Sequence, residues 1–230
     1  MEPEHIQTLL TRVSVLFMLD KEAEVIADCL RVIELDESNH LAWFLMAKAK
    51  RTTGDQLGAI ADLTKAIALK DDFTDAYLLR AEVLLAMKQG QEALPDIEKA
   101  ISLAPEEETT YLVRCKIHES LGDLDAAADD YQQALDLNPF NEDACILKGS
   151  LLITKNLLDE AIVFFDEAIE IKPDFATAYA ERGRAKNLKG DKEGAFEDLK
   201  KSIELNPEGE EAKKFEGQHA NFENKTYMPF

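Results

Sequence analysis

The sequence predicts an all-α solenoid of six helix-turn-helix repeats, followed by a C-terminal capping helix. The first observation is a period of 34 residues without a gap, in which alanine recurs at Ala59, Ala93, Ala127, Ala161 and Ala195. The second is that apolar residues follow each alanine at helical spacing, as in the stretch "AFEDLKKSIEL". The third is a Gly-Asp pair that recurs ahead of this stretch. Regular helix pairs of this length indicate a stacked-repeat fold.

The second helix of each unit is predicted from one apolar stripe and a defined end. Seven residues beyond each repeated alanine lies a small residue, and an isoleucine or leucine follows it, so one face of the helix is buried. Four units then reach a proline, which cannot continue a helix. These prolines are Pro105, Pro139, Pro173 and Pro207.

The first helix of most units begins with an aromatic residue, and a small residue follows four positions later. Trp43 with Ala47 and Tyr179 with Gly183 are examples. The small residue lets the two helices of a unit approach closely. The turn between the helices is predicted at the Gly-Asp pairs, because glycine readily adopts the left-handed conformation that ends a helix. The turn glycines are Gly54, Gly122 and Gly190.

The six units are predicted at 6–39, 40–73, 74–107, 108–141, 142–175 and 176–209. With a capping helix at 210–217 they form one predicted domain over 1–217, and residues 218–230 form a tail without the repeat. The first unit is degenerate, as expected of a terminal repeat. In the third unit Gly90 comes two residues late and Pro95 lies within the second helix, so we expect a longer first helix and a late or bent second helix.

This pattern resembles the tetratricopeptide repeat, which is 34 residues long, over nearly the whole chain. The resemblance implies a right-handed α-α superhelix whose concave face is lined by the first helix of each repeat. It also implies that a partner protein binds there through a peptide or an amphipathic helix. The expected groove residues are Phe44, Leu45, Lys48, Leu78, Leu79, Glu82, Leu112, Lys116, Ile146 and Leu147.

The expected groove is largely apolar, with a few charged residues. A long apolar strip that faces water usually marks a binding site. The alternative is that these leucines pack against the neighbouring first helix and are mostly covered. The sequence favours the binding groove and leaves the second interpretation open.

Arginine stands at one position in four units, and aspartate follows sixteen residues later in each of them. These arginines are Arg12, Arg80, Arg114 and Arg182. The unit that has Phe164 in place of aspartate has Lys148 in place of arginine. We predict that each arginine pairs with its aspartate across the seam between the helices. An anion site is the disfavoured alternative. Phe164 is an exposed apolar spot or a packing variant, and we favour packing.

Composition limits the partners and the chemistry. The formal charge of −20 disfavours binding to nucleic acid or to anionic membranes, because both require cationic groups on the protein. The N-terminus has acidic residues where a signal peptide has basic ones, and no membrane span is predicted. We therefore expect a cytoplasmic location, although a chain whose leader had been removed would have the same sequence. The three cysteines are an odd number without a CxxC pair, which argues against a disulfide framework.

No catalytic, cofactor or metal motif is found in the sequence, so we expect no enzyme activity, no cofactor and no metal. The predicted function is that of a non-catalytic scaffold or adaptor that binds another protein in the groove. Two alternatives stay open. One is a structural protein that self-assembles by placing the C-terminal tail of one copy in the groove of another, which would give a homo-oligomer. The other is a regulatory subunit of an enzyme on a separate chain.

Overall fold

The structure, a computed structural model, describes residues 3–209, so the capping helix predicted at 210–217 and the tail at 218–230 lie outside the described residues. The described part folds into helices joined by short turns, which confirms the predicted all-α fold. The helices are α1 Pro3–Met18, α2 Glu22–Leu35, α3 His40–Thr52, α4 Gln56–Leu69, α5 Thr74–Ala86, α6 Gly90–Leu103, α7 Glu108–Leu121, α8 Leu124–Leu137, α9 Glu142–Thr154, α10 Leu158–Ile171, α11 Ala176–Lys189 and α12 Lys192–Leu205.

The chain divides into two compact units, residues 1–130 and 131–230, and the division falls within α8. In the first unit, α3 packs on α4, α5 on α6, and each pair packs on the next. In the second unit, α9 packs on α10 and α11 on α12. The seams of the first unit contain fully buried alanines, such as Ala59, Ala66 and Ala93. Their small side chains allow the helices to approach closely while larger residues such as Leu63 and Ile97 fill the core.

One residue in each turn between paired helices has a left-handed backbone conformation. Glycine occupies this place three times, with φ of 87° at Gly54, 80° at Gly122 and 96° at Gly190, as predicted. The other turns use Asp20, Lys88 and Asn156, with φ of 52°, 62° and 60°. The aspartate after the glycine caps the next helix, since Asp55 accepts a hydrogen bond from the Gly58 N–H at 2.9 Å.

The expectation of a longer first helix in the third repeat is wrong. Helix α5 has the same 13 residues as α3, and α6 begins at Gly90, so it is not late. Lys88 occupies the turn position that glycine fills elsewhere, at an energetic cost for a residue with a side chain. Gly90 has a different role, because a Cβ atom there would lie 2.7 Å from Ser120 Oγ and 3.2 Å from Leu121 Cδ2. Pro95 lies inside α6.

A pair of complementary sizes stands at the seam between α9 and α10. Gly149 takes the small-residue position of the first helix, and the fully buried ring of Phe165 packs against it. A Cβ atom at position 149 would lie only 2.5 Å from Phe165 Cε1. The largest core side chain of this pair is therefore accommodated by the smallest residue.

Aromatic residues at the start of the first helices hold the preceding connection. Trp43 Nε1 donates to the Glu37 carbonyl at 3.1 Å, and the Tyr111 hydroxyl donates to the Pro105 carbonyl at 3.0 Å. Tyr179 makes the equivalent bond to a proline carbonyl at 3.3 Å. The recurrent aromatic residue thus satisfies a backbone acceptor in the connection between repeats.

Candidate functional site

The predicted pairing of arginine with aspartate is confirmed in all four repeats. Arg80 donates from Nε and Nη2 to the two carboxylate oxygens of Asp96, both at 2.7 Å. Arg12 pairs with Asp28, Arg114 with Asp130 and Arg182 with Asp198 in the same two-pronged geometry. Each of these aspartates is buried. The arginines are therefore engaged by carboxylates at the helix seam and do not form an anion site.

The repeat that has Met46 in place of arginine neutralises its aspartate from another position. Lys50, one turn along α3, places its Nζ 2.7 Å from Asp62 Oδ2. Burial nevertheless raises the pKa of Asp62, because the single lysine only partly offsets the loss of hydration. At Asp198 burial also raises the pKa, but hydrogen bonds from Arg182 and Lys186 outweigh it, so the pKa of Asp198 is lowered.

The same cations also reach back to the preceding repeat. Arg80 Nη1 donates to Thr64 Oγ1 at 3.0 Å, and Arg182 Nη1 donates to Asp166 Oδ1 at 2.6 Å. Each acceptor lies sixteen residues before the cation. One side chain therefore ties the second helix of one repeat to both helices of the next.

In the first unit, most of the predicted groove residues are only partly covered. Phe44, Leu45, Leu78 and Leu112 are half-buried, whereas Leu79 is 6% exposed and belongs to the core. Phe44 packs against the ring of Phe73 with centroids 4.9 Å apart. The surface of α3, α5 and α7 thus presents apolar side chains with one side packed and one side open.

The charged residues of this surface differ in how far they are engaged. Glu82 accepts a hydrogen bond from Arg51 Nη1 at 2.6 Å, which joins α5 to α3. Lys48 is exposed and its Nζ lies 5.2 Å from the centre of the Phe17 ring. Lys116 is exposed on α7. The two lysines are therefore better placed than Glu82 to meet a charged group of a ligand.

The remaining predicted groove residues, Ile146 and Leu147, belong to α9 in the second unit. Ile146 is 8% exposed and lies in the core, whereas Leu147 is half-buried. Position 79 in α5 and position 146 in α9 show that a leucine or isoleucine on the expected inner face can serve packing alone.

The second unit contains a separate depression between α8 and α10, on the face of the second helices. It has a volume of about 910 Å³ and includes Phe140, Phe164 and Glu167 among its lining residues. Phe140 was not singled out by the sequence reasoning. Phe164 is half-buried with Lys148 Nζ 4.4 Å from its ring centre, so it packs under the lysine and also lines the depression. The available signal was a polar position of the repeat occupied by phenylalanine.

The three cysteines, Cys29, Cys115 and Cys145, are buried and unpaired. Burial raises the pKa of Cys29 to about 12 and that of Cys145 to about 11. The pKa of the Cys115 thiol is raised by burial as well. Because the thiolate is the reactive form, these thiols are poor nucleophiles and poor metal ligands at neutral pH. Within residues 3–209, no helix is both long and apolar enough to cross a membrane.

Comparison with family models and known proteins was made for the whole chain. Two models described as tetratricopeptide repeat match, one at residues 119–186 and the other at 74–107 and 176–208, which together cover more than half of the chain. No curated protein sequence matches the chain.

Three solved structures illustrate the likeness of fold. MamA is 25% identical, with a TM-score of 0.66, and the match covers 72% of this chain and 91% of that one. YrrB, described as a TPR protein with an unusual peptide-binding site, is 24% identical, with a TM-score of 0.65 and coverage of 82% and 97%. PilW, a type IV pilus biogenesis factor, is 15% identical, with a TM-score of 0.82 and coverage of 91% and 97%.

Proposed function

The chain belongs to the tetratricopeptide repeat family, and we propose that it is a non-catalytic scaffold or adaptor that binds a peptide or helix of a partner protein. Repeats of this family generally serve as protein-interaction modules rather than as enzymes. The likeness to YrrB, at 24% identity, concerns the fold alone, so the proposed site is argued from the residues of this chain.

The observation that carries the proposal is a row of half-buried apolar side chains on consecutive first helices. Phe44, Leu78 and Leu112 stand at the same position in α3, α5 and α7, and they are all partly open. A row of this kind gains stability when a ligand covers it, because apolar surface is removed from water. Glycine-free, regular helices hold these side chains at fixed spacing in the first unit, which suits a partner helix with apolar residues at regular intervals.

The exposed lysines of the same surface give the proposed ligand a second feature. Lys48 and Lys116 lie four residues after Phe44 and Leu112, so each stands one turn from an apolar contact. A partner segment with carboxylates beside its apolar residues would pair with them, and such contacts favour specificity and register. Glu82 already binds Arg51 and acts as a support for α3 and α5.

Buried Leu79 and Ile146 are assigned a supporting part in this proposal, since their side chains lie beneath the surface. Leu147 remains a proposed contact within the second unit. The cytoplasmic location and the homo-oligomer through the tail stay predictions of the sequence.

The test is affinity capture from a lysate of the source organism, with mass spectrometry and three baits. They are the wild-type chain, the double variant Leu78→Asp with Leu112→Asp, and a control Leu57→Asp. Leu57 is 72% exposed on α4, so the control adds the same charge to the first unit away from the proposed surface. Circular dichroism first establishes that all three baits are folded.

We expect a protein that is captured by the wild type and the control and is lost with the double variant. A synthetic peptide from that protein should then bind the wild type in calorimetry and lose at least about tenfold in affinity with the double variant. Equal capture by all three baits, or capture by none, would contradict the proposed surface.

A further inference from the structure

The depression between α8 and α10 differs from its equivalents in the other repeats, and this difference concentrates on residues that line it. Its apolar part is formed by Leu135, Pro139, Phe140 and Phe164, and its rim carries Glu167 and Glu170. All of these residues lie within the second unit. It is therefore separate from the surface of α3, α5 and α7 on which the proposed function rests.

Two phenylalanines stand where the repeat otherwise has polar residues. The positions equivalent to Phe140 in other repeats are occupied by Ser38, Asp72, Glu106 and Asp174. Phe140 is 77% exposed, so core packing does not account for it. Phe164 replaces the seam aspartate of every other repeat and is half-buried beside the depression. Both departures place aromatic surface at one site.

The charge at the rim departs from the repeat in the same place. The positions equivalent to Glu167 carry Arg31, Lys65, Lys99 and Lys201 in other repeats, so a usual cation is replaced by an anion. Glu167 and Glu170 are exposed, and Asp136 adds a third carboxylate among the lining residues. Lys148 does not neutralise this rim, because it is 7% exposed, lies over the Phe164 ring and donates to Gln132.

We propose that this depression is a second docking site, which takes a protein segment with a bulky apolar side chain flanked by lysine or arginine. The apolar side chain would lie against Phe140, Phe164 and Leu135, where it removes exposed aromatic surface from water. The flanking cations would meet Glu167 and Glu170, so charge complementarity adds specificity and speeds association. The net charge of −20 favours a basic peptide over nucleic acid as the occupant.

The site is tested by panning a displayed library of random dodecapeptides on the full chain. The affinities of the enriched peptides are then measured by fluorescence anisotropy with Phe140→Asp and Glu167→Lys. Each variant carries the residue that another repeat has at the equivalent position, Asp174 or Lys201, so both are compatible with the fold. Val163→Asp and Glu160→Lys are matched controls, because both residues are exposed on α10 but do not line the depression.

We expect enriched sequences with an aromatic or leucine residue between lysines or arginines. Their affinity should fall by about tenfold or more in each site variant, remain within about twofold in each control and weaken as salt is raised. The double variant of the first unit, Leu78→Asp with Leu112→Asp, should retain the affinity, which separates this site from the proposed groove. The proposal is overturned if no peptide is enriched, if the enriched peptides lack the basic residues, or if the site variants bind as well as the controls.

Discussion

Replacing Arg80 by methionine tests the energetic weight of the paired residues at the helix seam. Methionine stands at the equivalent position of the preceding repeat as Met46, so Arg80→Met keeps a side chain that this fold accepts while removing the charge. Asp96 is 6% exposed and is held by two hydrogen bonds of 2.7 Å from Arg80. Among the described residues, Arg80 is the cation within ion-pair distance of this carboxylate.

The expected loss follows from leaving that carboxylate buried without its partner. Removing one member of a buried ion pair costs about 3–5 kcal/mol of the free energy of unfolding. The bond from Arg80 to Thr64 adds about 1 kcal/mol when it is lost. Arg31→Met is the control, because the Arg31–Glu34 pair is more than half exposed on both sides and such pairs contribute about 0–1 kcal/mol.

Urea unfolding followed by tryptophan fluorescence measures the effect in the first unit, since Trp43 is the one tryptophan of the sequence. The double variant Arg80→Met with Asp96→Asn should recover much of the lost stability, because the uncompensated charge is gone. If Arg80→Met and Arg31→Met differ by less than about 1 kcal/mol, the seam pairs do not stabilise the fold as argued.

Three further outcomes are expected. Asp198→Asn should lower the free energy of unfolding at pH 7 by about 3 kcal/mol, whereas Asp62→Asn should cost nothing or stabilise, as urea titrations would show. In the wild type the contribution of Asp198, whose pKa is lowered, is present above the ordinary value near 3.8 and is lost as pH falls through the folded pKa; Asp62, whose pKa is raised, contributes with the opposite sign. Lys88→Gly should raise stability by about 0.5–1 kcal/mol in the same assay by removing left-handed strain, and an unchanged midpoint would refute this. The buried cysteines should resist Ellman's reagent at pH 8 in the native chain and react fully in denaturant; fast native labelling would show that the core opens.

The regular part of the fold was predictable because one period carries several independent signals. The first helices from α3 onward begin 34 residues apart, at His40, Thr74, Glu108, Glu142 and Ala176. The pairing of Arg80 with Asp96 was predictable as well, since two charged positions varied together between repeats. Local rules and repeat spacing agree at these positions, and agreement of this kind makes a sequence readable.

The turn of the third repeat shows why a local rule can fail. Gly90 was interpreted as a displaced turn glycine, but the spacing kept the turn at Lys88 and left Gly90 to make room for Ser120 and Leu121. Its reason lies in a neighbouring repeat, which a pattern within one repeat does not contain. The burial of Leu79 and Ile146 was out of reach for a related reason, because the depth of a side chain depends on the surrounding helices.

The fit of Gly149 against Phe165 has a consequence for protein engineering. Repeats of equal length invite consensus substitution, in which each position receives the commonest residue of its column. Alanine is the commonest residue at the position of Gly149, yet its methyl group would collide with the ring of Phe165. A library that shuffles single helices between repeats would therefore lose the members that separate this glycine from its partner, whereas one that exchanges α9 and α10 together would keep them.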